Sequence, residues 1–134
     1  MKPNLSQLKR LVGNPDAYAL QNKDGSWRPM REPLTDSVLN RHLSLGHTVG
    51  TYVVYGDLAR TLVLDIDDEE DTLAVSEALV GALEELGVPR TSMAVEFSGK
   101  KGHHVWVVLQ EYRPAAELRR VGRAACVMAG VNVR

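Results

Sequence analysis

The sequence predicts an α+β fold, a mainly antiparallel sheet backed by helices, with an N-terminal helix and a β-hairpin as an extension. Three observations carry that expectation. From Val49 onward, β-branched runs and helical periodicities follow one another as strand, strand, helix, strand, strand, helix. Short Gly-containing links join the strand pairs, which favours antiparallel pairing. Between Asp71 and Leu86, the residues Val75, Leu79, Leu83 and Leu86 recur on one helical face, with Gly87 and Pro89 placed where a helix stop belongs. Such a sheet gives one face to its helices and leaves the other for a ligand.

The elements follow in order. Leu5, Leu8, Leu11 and Val12 share one face of a short helix that Gly13-Asn14-Pro15 must end. Residues 17–20 and 26–28 flank Asn22-Lys23-Asp24-Gly25, whose Asp-Gly supplies the positive φ of a hairpin turn; Tyr18 and Trp27 are expected to face each other across it. Thr35 is placed to cap a helix carrying Leu34, Val38, His42 and Leu45, ending at Gly46. Val49 to Tyr55 and Arg60 to Ile66, separated by Gly56-Asp57, read as a paired antiparallel hairpin. Ser92 to Phe97 and His104 to Leu109 read as a second pair. Pro114 then opens a helix with Leu118, Val121, Ala125 and Met128 on one face.

A chain of 134 residues is expected to form a single domain over residues 1–134, since folding at this length withdraws roughly two-thirds of its surface from water. No apolar run approaches the roughly 18 residues of a membrane span, so no membrane partner is expected. Met1 to Ser6 lack the apolar run and cleavage site of a secretion signal. The single Cys126 cannot form an internal disulfide and sits in an apolar helical stretch, as a buried inert thiol would. A reducing cytoplasm is the expected setting. A net charge of −1 argues against coating nucleic acid by bulk charge, so any such contact must be local. The charges are indeed segregated, acidic over residues 67–71 and basic at Lys100, Lys101, Arg113, Arg119, Arg120 and Arg123.

Two motifs carry the chemistry. In residues 61–67, alternation puts Leu62, Leu64 and Ile66 on the core face and Val63, Asp65 and Asp67 on the other. The two acidic residues lie about 6.5 Å apart along the strand, close enough to gather divalent cations of the kind that clamp a phosphoryl transfer; Mg²⁺ or Mn²⁺ suits carboxylate oxygens. An acidic pair ending an apolar strand is equally what a solvated turn provides, and Asp68 to Asp71 read as helix-start charges, with Asp68 or Asp71 as the cap. The second motif is the loop Ser98-Gly99-Lys100-Lys101-Gly102, whose glycines allow an anion nest of backbone N–H groups. Ser98, Lys100 and Lys101 can add a hydroxyl and positive charge, and His104 can donate an imidazole N–H to phosphate. His103 points to the opposite face from His104, which rules out a zinc site made of the pair. Trp106 shares the face of His104, and Glu96 shares the parity of Ser98. For the lysines a solvated loop tip, and for Trp106 helix packing, are the competing readings.

The combination of Asp65-Ile66-Asp67, one helix, and Ser98-Gly99-Lys100-Lys101-Gly102-His103-His104 between two strands closely resembles the first two motifs of the archaeo-eukaryotic primase superfamily. The likeness is to the primase-polymerases of bacteria, phages, plasmids and defence loci and to the polymerase domain of bacterial end-joining ligases. It runs from about Ala17 to Leu109, with Leu34-Thr35-Asp36, His42-Leu43 and residues 48–52 as a less specific lead-in. The resemblance implies an RRM-like sheet, metal ligation by Asp65 and Asp67, and nucleotide binding by Ser98, Gly99, Lys100, Lys101, Gly102 and His104.

It further implies a DNA primase or polymerase in which a 3′-hydroxyl attacks the α-phosphate of the bound nucleotide and pyrophosphate leaves, with Mg²⁺ or Mn²⁺ as cofactor. The implied partners are nucleoside triphosphates, a DNA primer and template or a single-stranded template, and a helicase or other domains farther along a longer chain. The superfamily's third motif, a later acidic residue, has no counterpart before Val131-Asn132-Val133-Arg134, so the chain is expected to be the N-terminal part of a longer primase-polymerase. That departure keeps two alternatives open, a non-catalytic nucleotide- or single-strand-binding module and a metal-dependent phosphodiesterase.

Overall fold

A computed structural model describes residues 3–67 and 70–131 of the chain, which fall into two compact units, Met1–Leu58 and Ala59–Arg134. Both are α+β, each with a three-stranded antiparallel sheet. Asp68 and Glu69, expected as helix-start charges, lie outside the described residues, as does the segment from Asn132 to Arg134. No helix among the described residues is long and apolar enough to cross a membrane.

The first unit opens with α1 (Leu5–Leu11), started by a reciprocal cap in which Asn4 and Gln7 each accept the other's backbone N–H at 2.9 Å. β1 (Tyr18–Gln21), β2 (Trp27–Met30), α2 (Asp36–Leu45) and β3 (Val49–Thr51) follow, in the sheet order β2-β1-β3. The expected facing of Tyr18 and Trp27 is not found. The turn closes by a hydrogen bond from Asn22 N–H to Ser26 O, and that register sets Tyr18 against Met30 and Trp27 against Gln21. Tyr18 is buried and donates its hydroxyl to Glu32 at 2.8 Å; burial first, and then the Glu32 carboxylate, push its pKa up. Thr35 caps α2 as expected, but the helix buries Leu39, while Leu45 points outward at 65% exposure.

The hairpin expected between Val49–Tyr55 and Arg60–Ile66 is also corrected. β3 ends at Thr51 and pairs with β1, Val49 against Leu20 and Thr51 against Tyr18. Its continuation is taken up by the turn after α1: Gly13 N–H donates to Thr51 Oγ1 and Asn14 N–H to Tyr52 O. A single bridge between Tyr55 and Leu58 is what the described residues retain of the expected pairing.

The second unit carries the candidate motifs. It contains β4 (Leu58–Ile66, its first residue lying in the first unit), α3 (Thr72–Glu85), a 3-10 turn at Arg90–Ser92, β5 (Met93–Phe97), β6 (His103–Pro114) and α4 (Ala115–Met128). The sheet order is β4-β6-β5, so β6 is central. β5 and β6 pair antiparallel, as the sequence predicts, but β6 is longer than expected, and Ser92 belongs to the 3-10 turn instead of the strand. Asp71 caps α3 by accepting the Ala74 N–H at 3.0 Å.

The apolar alternation of β4 places its core face as expected. Ile66 is buried, and Leu62 and Leu64 lie so close to Gly122 of α4 that a Cβ there would meet Leu62 at 3.2 Å. With Leu79, Val80 and Leu83 of α3, Val105 and Val107 of β6, and Ala125 and Cys126 of α4, they close the core between sheet and helices. Leu83 is fully buried, so Leu83→Ala is expected to destabilise the protein by ~2–5 kcal/mol through lost transfer energy and a residual cavity, measured by denaturant unfolding. Cys126 is buried as expected, and burial pushes its thiol pKa up. Alkylation of the native protein by iodoacetamide should therefore be undetectable at a pH where the unfolded chain reacts fully, as read by mass spectrometry.

Candidate nucleotide and metal site

β4, β6 and β5 lie side by side, and the sheet face away from the core carries one row of polar side chains across them. Asp65 of β4 is exposed, and its Oδ1 lies 3.4 Å from Nε2 of His104 on the central strand. On the far side, Nδ1 of His104 is 2.7 Å from Oε1 of Glu96, the residue directly opposite it on β5. The same Glu96 oxygen accepts the indole N–H of Trp106 at 3.3 Å. Asp65, His104, Glu96 and Trp106 therefore form a continuous polar strip on the open face, which the alternation of each strand requires.

The loop between β5 and β6 is fastened at both ends. Ser98 N–H donates to Gly102 O at 2.9 Å, and Gly102 N–H donates to Ser98 Oγ at 3.0 Å. Ser98 Oγ thus accepts from the loop itself, and its hydroxyl still carries a hydrogen to donate. Gly102 differs from its expected part in an anion nest, because its N–H is already taken. What it contributes is clearance: a Cβ there would overlap Asp67 Oδ1 and come within 2.7 Å of Ile66 O. Gly99 adopts φ +94°, a left-handed conformation that a side chain strains, and is otherwise in open space. Lys100 and Lys101 are exposed at the tip.

A second fastening joins the loop to the start of α3. Thr72 Oγ1 lies 3.2 Å from Lys101 O and 2.8 Å from His103 Nδ1. The carbonyl can only accept, so the hydroxyl donates to it and receives the Nδ1–H of His103. His103 faces the helices, tilted against Phe97 at 5.4 Å, opposite to His104 as the strand alternation demands. The sequence offered no signal for Thr72, since a threonine after an N-cap is ordinary. Glu96 did carry one, because a hairpin closed symmetrically about Lys100 sets residue 96 against residue 104.

The structure thus brings Asp65 and Asp67 to one end of the loop and His104 beside Asp65, with Ser98 and Gly102 locking the loop itself. Both acidic side chains are exposed, Asp65 at 61%, and offer only oxygen donors, the ligand type that a hard divalent cation takes. Among the described residues, no three His, Cys, Asp or Glu side chains gather into a metal-holding cluster. Arg119, Arg120 and Arg123 are exposed on α4.

A comparison with protein families matches residues 15–131 to the archaeo-eukaryotic primase domain of TOTE conflict systems. The chain belongs to this family. The primase domain covers nearly the whole chain, both motifs included, and extends the likeness seen from Ala17 to Leu109 in both directions. It places the protein in a primase/polymerase-type nucleotidyltransferase family whose domains generally depend on divalent metal and act on nucleotides and nucleic acid. No curated protein matches the chain.

Proposed function

We propose that this primase domain binds a nucleoside triphosphate together with Mg²⁺ or Mn²⁺ and, within its full protein, transfers the nucleotide to a primer or a nascent strand. The carrying observation is the meeting of the two motifs: Gly102 of the loop rests against Asp67, while His104, just beyond the loop, lies 3.4 Å from Asp65. A triphosphate lying along the loop would have its phosphates beside both carboxylates. Asp65 and Asp67 would hold the divalent ion, which when bound neutralises charge on the phosphoryl oxygens. Ser98 donates its free hydroxyl hydrogen, Lys100 and Lys101 supply positive charge, Gly99 and its neighbours present backbone N–H groups, and His104 donates from its ring. Gly102 keeps the loop close to the carboxylates. These groups chiefly orient the nucleotide for in-line attack and offset its charge.

Binding of a labelled nucleoside triphosphate with and without Mn²⁺, followed by primer extension, tests the reading. Mn²⁺-dependent binding and incorporation are expected. Binding without incorporation by the full-length protein would assign a non-catalytic module, release of nucleotides from labelled DNA would assign a phosphodiesterase, and absence of binding would sink the site.

A further inference from the structure

Glu96 has no place in the two motifs, yet it makes the closest polar contact of His104. Its carboxylate is 54% exposed, so ordinary solvation was open to it; instead one oxygen receives two ring N–H groups, from His104 at 2.7 Å and Trp106 at 3.3 Å. The consequence for His104 is chemical as well as steric. A carboxylate can only accept, so the proton in the short contact belongs to Nδ1, and Nε2 is the nitrogen turned toward Asp65. An imidazole without such a partner turns over a broad range about its outer torsion and places its proton freely. The arrangement parallels carboxylates that orient histidines from behind in other sites.

We propose that Glu96 is a positioning residue: it holds the His104 ring by Nδ1, aims Nε2 along the open face toward Asp65, and braces the ring through the Trp106 indole. The effect on nucleotide affinity rests on the nucleotide-binding reading above; the effect on the ring does not. Glu96 is exposed on an edge strand, so Glu96→Ala and Glu96→Gln should fold as the parent does.

The ring is read by side-chain ¹⁵N NMR of His104, assigned with His104→Ala. The parent protein should show an Nδ1 proton held in a hydrogen bond and slow to exchange with water; Glu96→Ala should release it to fast exchange, and Glu96→Gln, which keeps an acceptor oxygen, should retain the slow exchange. In Mn²⁺-dependent nucleotide binding, Glu96→Ala should weaken affinity about tenfold. The double variant with His104→Ala should bind no more weakly than His104→Ala alone, because Glu96 acts through that ring. An Nδ1 proton as slow in Glu96→Ala as in the parent, one already fast in the parent, or losses that add in the double variant, would overturn the assignment. A parent protein that binds no nucleotide but shows the Glu96-dependent protection of Nδ1 would sink the nucleotide reading and leave the positioning role standing.

Discussion

Replacing both Asp65 and Asp67 by asparagine is expected to lower Mn²⁺-dependent affinity for a nucleoside triphosphate by more than about 100-fold while leaving the fold intact. Amide oxygens keep the shape but lose the charge that holds a divalent ion, and even groups that merely orient metal ligands typically cost about 10–100-fold. Both side chains are exposed at the end of β4, and neither contributes to the core. Exposed substitutions of this kind change stability by about 0.5 kcal/mol or less, so the melting temperature should move by only about 2 °C. Thermal unfolding beside equilibrium binding separates the two effects. Retained affinity in a folded double variant would mean that the metal sits elsewhere.

Gly102→Ala should weaken binding too, by another route. The added methyl group would overlap Asp67 Oδ1 and press on Ile66 O, which is backbone at the end of β4 and cannot swing aside. Overpacking of this sort costs about 1–3 kcal/mol. Relief requires the loop to lift away from the carboxylates, breaking the paired hydrogen bonds between Ser98 and Gly102, so nucleotide affinity should fall by about tenfold or more. Gly99→Ala is the informative comparison. Its position is strained by a φ of +94° but meets nothing within 4 Å, so it should destabilise by only about 1 kcal/mol and leave Asp67 undisturbed. If the two alanines weaken binding equally in unfolding and affinity measurements, contact with Asp67 is not what Gly102 protects.

The parts of this fold written in periodicity were legible in the sequence. Val75, Leu79 and Leu83 announce α3, and alternation in β4 separates Leu62, Leu64 and Ile66 from Asp65 and Asp67 without any knowledge of what packs where. The same parity sets His103 against His104, and the structure shows each serving a different side, one tied to Thr72 and one facing Asp65. Strand partnership was less accessible. Val49 to Tyr55 and Arg60 to Ile66 have the composition of a hairpin, but composition does not record that β1 offers Val49 to Thr51 an antiparallel edge, nor that β6 will lie beside β4.

Within the site, the acidic pair, the Gly-containing loop and the histidine stood out, whereas the groups that contact them stood out less. Glu96 looks like any exposed strand acid until register sets it against His104, and Thr72 like any first-turn threonine until its hydroxyl meets the Lys101 carbonyl. Gly102 stood out for its backbone freedom, which suggested an N–H for an anion; in the structure that N–H donates to Ser98 Oγ, and the missing side chain leaves room for Asp67.

The most direct measurement is a crystal structure of the protein soaked with Mn²⁺ and a nucleoside triphosphate, with anomalous scattering locating the metal. Manganese on the carboxylates of Asp65 and Asp67, with the triphosphate along Ser98 to Lys101 and reaching His104, is the expected result. Manganese and nucleotide ordered elsewhere, with both carboxylates unengaged, would contradict it.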